Sequence, residues 1–169
     1  MVERSLSATP FHWLALLAIA FSAVVADQVT KQIVVSMLDL GDSVHVAGPL
    51  EIRHVTNPGI AFGLFSSWAT AVTILTAVAV GWMLFYFARA GARHPVLPVA
   101  LGLLIGGSIA NLIDRLRLGH VTDFLDLRFW PAFNLADTFI VVGVTILLAA
   151  LVAAEREPRL RRTAPKTTG

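Results

Sequence analysis

The chain has 169 residues, 56% hydrophobic and 14% charged, well short of the roughly 25% charge of a soluble domain. Its formal charge is +2, its mean hydropathy is +0.75, and it has no cysteine, which excludes disulfides and thiol chemistry. The pI near 9.7 does not mark a nucleic-acid binder, because the basic residues gather beside apolar runs in the pattern that sets membrane topology.

Those runs are Ser5–Ala26, Trp68–Ala88, Pro95–Ile113 and Thr138–Ala154, each 17 to 22 residues without a charge. About 20 apolar residues cross the hydrocarbon core of a bilayer. The expected fold is therefore an all-α membrane protein, with four transmembrane helices near 10–26, 68–88, 95–113 and 137–154. These form a single integral membrane domain over 1–169. Arg89, Arg93 and His94 lie between spans two and three. Arg156, Arg159, Arg161, Arg162 and Lys166 fill the tail 155–169. Excess basic residues mark the cytoplasmic side, so both termini are expected there, with Arg4. The tail also suits anionic membrane lipids. Segments 27–67 and 114–137 then face outward and hold eight of the eleven acidic residues.

Span one has a rival reading. Arg4, the apolar run Leu14 to Phe21 and the small-residue end Val24-Val25-Ala26 resemble a secretory signal peptide cleaved before Asp27. Just beyond, Asp27 and Lys31 are four apart and share a face if the helix continues. Read alone, they form an interfacial ion pair of about 0.3 kcal/mol. In the outer segment, Val44 and Val46, then Gly48-Pro49, then Leu50 and Ile52 suggest a small extracytoplasmic β-hairpin. Asn57-Pro58-Gly59 follows. It is either a plain loop or a loop whose Asn57 amide and Gly59 backbone contact an extended ligand. Span two offers no chemistry.

Span three differs. Gly102 and Gly106-Gly107 let helices approach closely. Ser108, Asn111, Asp114 and Arg115 follow, and polar groups at membrane depth need protein or water around them. The segment 116–136 alternates apolar and polar residues, as in an interfacial segment lying on a bilayer. Asp137 can serve as N-cap of span four, and Asp123 can pair with Arg115 or Arg128. Together, however, Asp123 and Asp137 stand at one membrane face, where two carboxyls can share a proton and activate water. Other chemistries are poorly supplied. HExxH is absent, and the five histidines are scattered between both sides, so no metal site is expected. Ser108 with His120 offers an intramembrane serine protease as a further alternative.

Several motifs occur in a fixed order. They are Asp27-x-x-Thr30-Lys31, Asn57-x-Gly59-x-Ala61-Phe62 and Gly107-x-x-x-Asn111-x-x-Asp114-Arg115, then Gly119-x-Val121-x-Asp123-Phe124 and Phe133-Asn134-x-Ala136-Asp137. In this the chain resembles the signal peptidase II family, bacterial membrane aspartic peptidases. The resemblance implies that Asp123 and Asp137 are the catalytic pair. It implies that Asn57, Gly59, Asn111, Arg115 and Asn134 bind substrate or orient the pair, and that Asp27, Lys31 and Asp114 support the site. It implies no cofactor and no metal. The implied substrate is a diacylglyceryl-modified prolipoprotein, cut before its lipidated cysteine. Globomycin-type cyclic peptides are the implied inhibitors. The implied location is the bacterial cytoplasmic (inner) membrane, with the site near its outer face. Ile60 and Ala110 depart from the family's usual Ala and Gly, which bears on substrate or inhibitor fit. The competing class is a non-enzymatic carrier or assembly subunit using both aspartates as cap and salt-bridge partners.

Overall fold

The computed structural model describes residues 7–58, 69–91 and 94–163, with side chains as far as 154. Four helices alternate in direction: α1 (Pro10–Met37), α2 (Ala69–Ala90), α3 (Leu97–Leu118) and α4 (Leu135–Thr163). Three strands lie between them in sequence: β1 (Ser43–Ala47), β2 (Leu50–Asn57) and β3 (Val121–Asp126). All four helices contain a stretch long and apolar enough to cross a membrane.

Pro10 opens α1 at a position where its missing N–H costs nothing. The helix does not end with the uncharged run. It continues for 28 residues, about 42 Å at 1.5 Å per residue, against a hydrocarbon core of about 30 Å. Its last turns therefore carry Asp27 and Lys31 towards the membrane edge. Its buried positions are Leu16, Ala20, Ala23, Asp27, Lys31 and Val34. Steps of three and four make them one stripe, so the two charged residues occupy the same inward face as the leucine and alanines.

That stripe packs on α3, the interior helix of the bundle, which buries twelve of its residues. Glycine makes the contacts possible. A Cβ on Gly106 would sit 2.6 Å from the Ala20 carbonyl oxygen of α1, and one on Gly107 would sit 2.4 Å from the Ala136 carbonyl oxygen of α4. In lipid, where helices gain little from the hydrophobic effect, such close backbone approach supplies van der Waals contact. Gly143 of α4 returns the contact against the Ala100 carbonyl. At the opposite end of the bundle, Phe87 of α2 is fully buried and meets the Trp13 ring edge-on at 5.0 Å. The Ala8 amide donates to the Ala88 carbonyl there.

The expected hairpin is present and gains a third strand. β1, β2 and β3 form an antiparallel sheet in that order, with Val55 opposite Asp123 and Asn57 opposite Val121. The alternation between residues 121 and 126 belongs to β3, whose Val121–Phe124 are buried. What remains exposed of the 116–136 segment includes Phe129 and Trp130, at 75% and 55%. After α3, Gly119 takes φ 77°, a left-handed value that a side chain disfavours, and this turns the chain sharply into β3. Phe133 then exchanges backbone hydrogen bonds with Leu125, bringing the start of α4 beside the strand.

Candidate active site

Five elements send polar side chains to one end of the bundle. α1 delivers Asp27 and Lys31, β2 Asn57, α3 Asn111, Asp114 and Arg115, β3 Asp123, and the start of α4 Asn134 and Asp137. Helical spacing explains the local pairs, Asp27 with Lys31 and Asn111 with Arg115, each four apart.

Lys31 is almost completely buried, and its ammonium lies 2.7 Å from Asp27, 2.7 Å from Asp114 and 3.1 Å from the Asn111 Oδ1. This is not the exposed ion pair that the spacing alone suggests. A buried cation is tolerated only when its charge is paired, and here two carboxylates and an amide oxygen surround it. Asp27 also accepts from the Ala136 amide at 2.9 Å, capping α4 from a residue 109 positions away. Asp114 takes the Gln28 amide at 2.8 Å and the Thr122 backbone N–H at 3.2 Å, pinning β3 to α3.

The helix-cap reading of Asp137 is replaced by a reciprocal arrangement. Asn134 is the cap, its Oδ1 accepting from the Asp137 amide at 2.9 Å, while Asp137 Oδ2 accepts from the Asn134 amide at 3.3 Å. The other Asp137 oxygen accepts from Asn111 Nδ2 at 2.8 Å. Asp123 accepts from Asn57 Nδ2 at 2.9 Å and from Asn134 Nδ2 at 2.7 Å. Each carboxyl thus receives two N–H groups, and Asn134 touches both. Burial pushes the Asp123 carboxyl up to about 6 from its ordinary 3.8, with the Asp137 charge adding to the rise. The Asn57 and Asn134 amides and the Lys31 charge pull the other way. A proton shared in such a pair belongs to both groups, so its titration is a property of the pair. Arg115 is half-buried and within the electrostatic reach of Asp137, Asp123 and Asp114.

Two cavities adjoin the aspartates. One of about 390 Å³ has Asp137 in its wall. Phe129, Trp130 and Phe133 stand on one side of it, Val141 and Val142 of α4 on the other. A second, of about 180 Å³, has Asn57, Asp123 and Pro131 in its wall. Water and an apolar chain both have room beside the pair.

The structure therefore gathers Asp27, Lys31, Asn57, Asn111, Asp114, Arg115, Asp123, Asn134 and Asp137 into one cluster. Gly59 and Ile60 lie outside the described residues. Ala110 is fully buried, and its carbonyl accepts from Gln28 at 3.3 Å. No hydrogen bond joins Ser108 to His120 among the described residues, which leaves the serine-protease alternative without its base. Two contributors escaped the sequence reading, Gln28 and the Thr122 backbone amide. Gln28 had a faint signal, a polar residue three positions before Lys31 on the same helix face. The Thr122 amide had none.

Fold and site together define a multi-pass membrane protein with paired, amide-braced carboxyls at one end of its bundle. The chain belongs to the signal peptidase II family, whose profile matches residues 19–153. It is 40% identical over 147 residues to a lipoprotein signal peptidase of Symbiobacterium thermophilum, covering 83% of this chain and 96% of that one. A lipoprotein signal peptidase of Pelotomaculum thermopropionicum is 42% identical over 127 residues, covering 75% and 84%. Among solved structures, a bacterial membrane enzyme determined by the in meso method at 2.3 Å superposes with a TM-score of 0.78. It is 30% identical, with 91% of this chain and 94% of that one covered. The chain is thus a peptidase by family.

Proposed function

We propose that the chain is an aspartic endopeptidase that removes the signal peptide from diacylglyceryl-modified prolipoproteins, cutting before the lipidated cysteine. The observation that carries this reading is the Asn134 side chain, which hydrogen-bonds both Asp123 and the start of the turn holding Asp137. It keeps two carboxyls in one polar cluster with space beside them.

A singly protonated pair suits hydrolysis without a covalent intermediate. The ionised carboxyl takes a proton from water as the oxygen attacks the scissile carbonyl. The protonated carboxyl gives its proton to that carbonyl oxygen, forming a tetrahedral diol. Collapse breaks the C–N bond as a proton passes to the leaving amine. The raised pKa of Asp123, about 6, supports a pair that keeps one proton in mildly acidic solution, above the ordinary carboxylate range. Asn57, Asn111 and Asn134 hold the carboxyls, and Arg115 lies where it can face developing negative charge.

The apolar cavity beside Asp137 supports a lipidated substrate, because α4 carries it into the span where acyl chains and signal-peptide helices reside. Charge topology supports a site near the outer face of the cytoplasmic membrane, with both termini inside. Contacts with membrane lipids and inhibition by globomycin-type cyclic peptides belong to the same proposal.

The test is cleavage of a purified diacylglyceryl-modified prolipoprotein, beside its unmodified precursor, by the parent and by Asp123→Asn and Asp137→Asn. Cleavage of only the lipidated form, lost in both folded variants, is the expected result. Near-normal turnover by either variant overturns the assignment. Absence of cleavage by the folded parent would favour the carrier reading.

A further inference from the structure

We propose that Lys31 is a positioning residue whose ammonium sets the orientation of two asparagine amides, and through them the hydrogen-bond donors presented to Asp123 and Asp137. The proposal rests on the aspartic-peptidase reading above.

An asparagine amide can rotate by half a turn and exchange its oxygen and nitrogen with little change in shape. Its direction must therefore come from its partners. Lysine settles the matter at Asn111, because an ammonium has three donors and no acceptor. Its charge is paired with Asp27 and Asp114, each at 2.7 Å. It can donate only to an acceptor, so Asn111 turns Oδ1 towards Lys31, at 3.1 Å. Asn111 Nδ2 is then left facing Asp137, at 2.8 Å.

The constraint passes on. Asn111 Oδ1 also accepts from Asn134 Nδ2 at 3.1 Å, so Asn134 must turn its nitrogen that way too. The same Nδ2 donates to Asp123 at 2.7 Å, and Asn134 Oδ1 takes the Asp137 amide at 2.9 Å. A reversed Asn111 would set donor against donor at Lys31 and acceptor against acceptor at Asp137. One buried cation thus keeps N–H groups on both carboxyls, which favours their ionised forms.

The charged groups that bear on the pair are Asp27 and Lys31 from α1, Asp114 and Arg115 from α3, and the two carboxyls themselves on β3 and α4. β2 contributes the neutral Asn57 amide. Removing Lys31 takes away a cation and the donor that fixes Asn111, and each change makes a proton on the pair harder to lose. Lys31→Met therefore moves the acid limb of the pH–rate profile to higher pH by about one unit, the size expected when a cation beside a carboxyl is lost. Lys31→Arg, which also has donors only, keeps the profile in place at whatever rate it retains. A purely structural role would lower the rate of Lys31→Met and leave the limb where it was.

The experiment is the pH dependence of kcat/KM for a diacylglyceryl-modified prolipoprotein, with the parent, Lys31→Met and Lys31→Arg in detergent. Lys31→Met with Asp114→Asn preserves the net charge of the cluster, so a limb that still moves to higher pH there reports the released amide and not the lost cation. An unmoved limb in the folded methionine variants refutes the relay, as does an equal displacement in Lys31→Arg. Both results leave the peptidase reading intact, because the parent cleaves in the same assay. A folded parent that does not cleave sinks that reading and the relay with it.

Discussion

Asn134 combines two jobs that different substitutions can separate. Its Oδ1 caps α4 at the Asp137 amide, 2.9 Å away, and its Nδ2 donates to Asp123 at 2.7 Å. Loss of a cap costs about 1 kcal/mol. Loss of a hydrogen bond to a charged group costs about 2 kcal/mol, which corresponds to about 1.5 pKa units. In Asn134→Ala both interactions go. In Asn134→Ser the hydroxyl can still cap, since serine matches asparagine there, but it is too short to bridge to Asp123. Apparent Tm in detergent is therefore expected to fall in both variants, and by roughly 3 °C further in the alanine variant, which also loses the cap. The acid limb of the pH–rate profile should rise by about 1.5 pH units in both, because each removes a donor that favours ionised Asp123. Thermal unfolding and the pH dependence of lipoprotein cleavage, measured on the same preparations, separate the two effects. A serine variant with the parent's profile would refute the bridging role. So would activity losses in the two variants that simply followed their loss of Tm.

Other consequences follow from the packing. Gly106→Leu must force α1 away from α3, because even a Cβ there meets the Ala20 carbonyl oxygen at 2.6 Å. Gly81→Ala, with nothing within 4 Å, is the control. The first should yield little monodisperse protein by size-exclusion chromatography, and the second should match the parent. Asp27→Ala strands the Ala136 amide and leaves Lys31 with Asp114 as its one carboxylate, and thermal unfolding should show a loss of about 1–3 kcal/mol, the cost of an unsatisfied buried donor. The Asp123 carboxyl is raised in the fold, so its contribution to stability is complete below its ordinary pKa of 3.8 and is lost as pH rises through about 6. The ceiling on that loss is roughly 3 kcal/mol. The Tm advantage of the parent over Asp123→Asn should shrink across this window, and an advantage that grew with pH would contradict the burial argument.

Much of the architecture was legible in the chain itself. Four long uncharged runs can only be buried as helices in lipid, since each helix satisfies its own backbone there. The spacing of Gly102 and Gly106 announced a close helix contact, and the turn at Gly48-Pro49 announced a hairpin. Asp27 with Lys31, and Asn111 with Arg115, were readable as face-sharing pairs because helical periodicity is a local property of the backbone. Their environment was not. An i,i+4 pair looks the same in sequence whether water or protein surrounds it, so the burial of Lys31 between two carboxylates stayed hidden. The alternation before Asp126 was equally ambiguous, since a strand and a surface-lying segment share that pattern until a partner strand is known.

The sequence by itself determined which segments enter the membrane, which faces of them are small or polar, and which aspartates stand at their ends. Partition of side chains between lipid and water, and the fixed geometry of a helix, suffice for that. Only the tertiary structure decided that Asp27 caps a helix 109 residues away, that Asn111 reaches Asp137, and that Asn134 joins Asp137 to Asp123. Those bonds depend on how closely α3 approaches α1 and α4. That distance is set by glycine contacts between helices, and no local propensity encodes it.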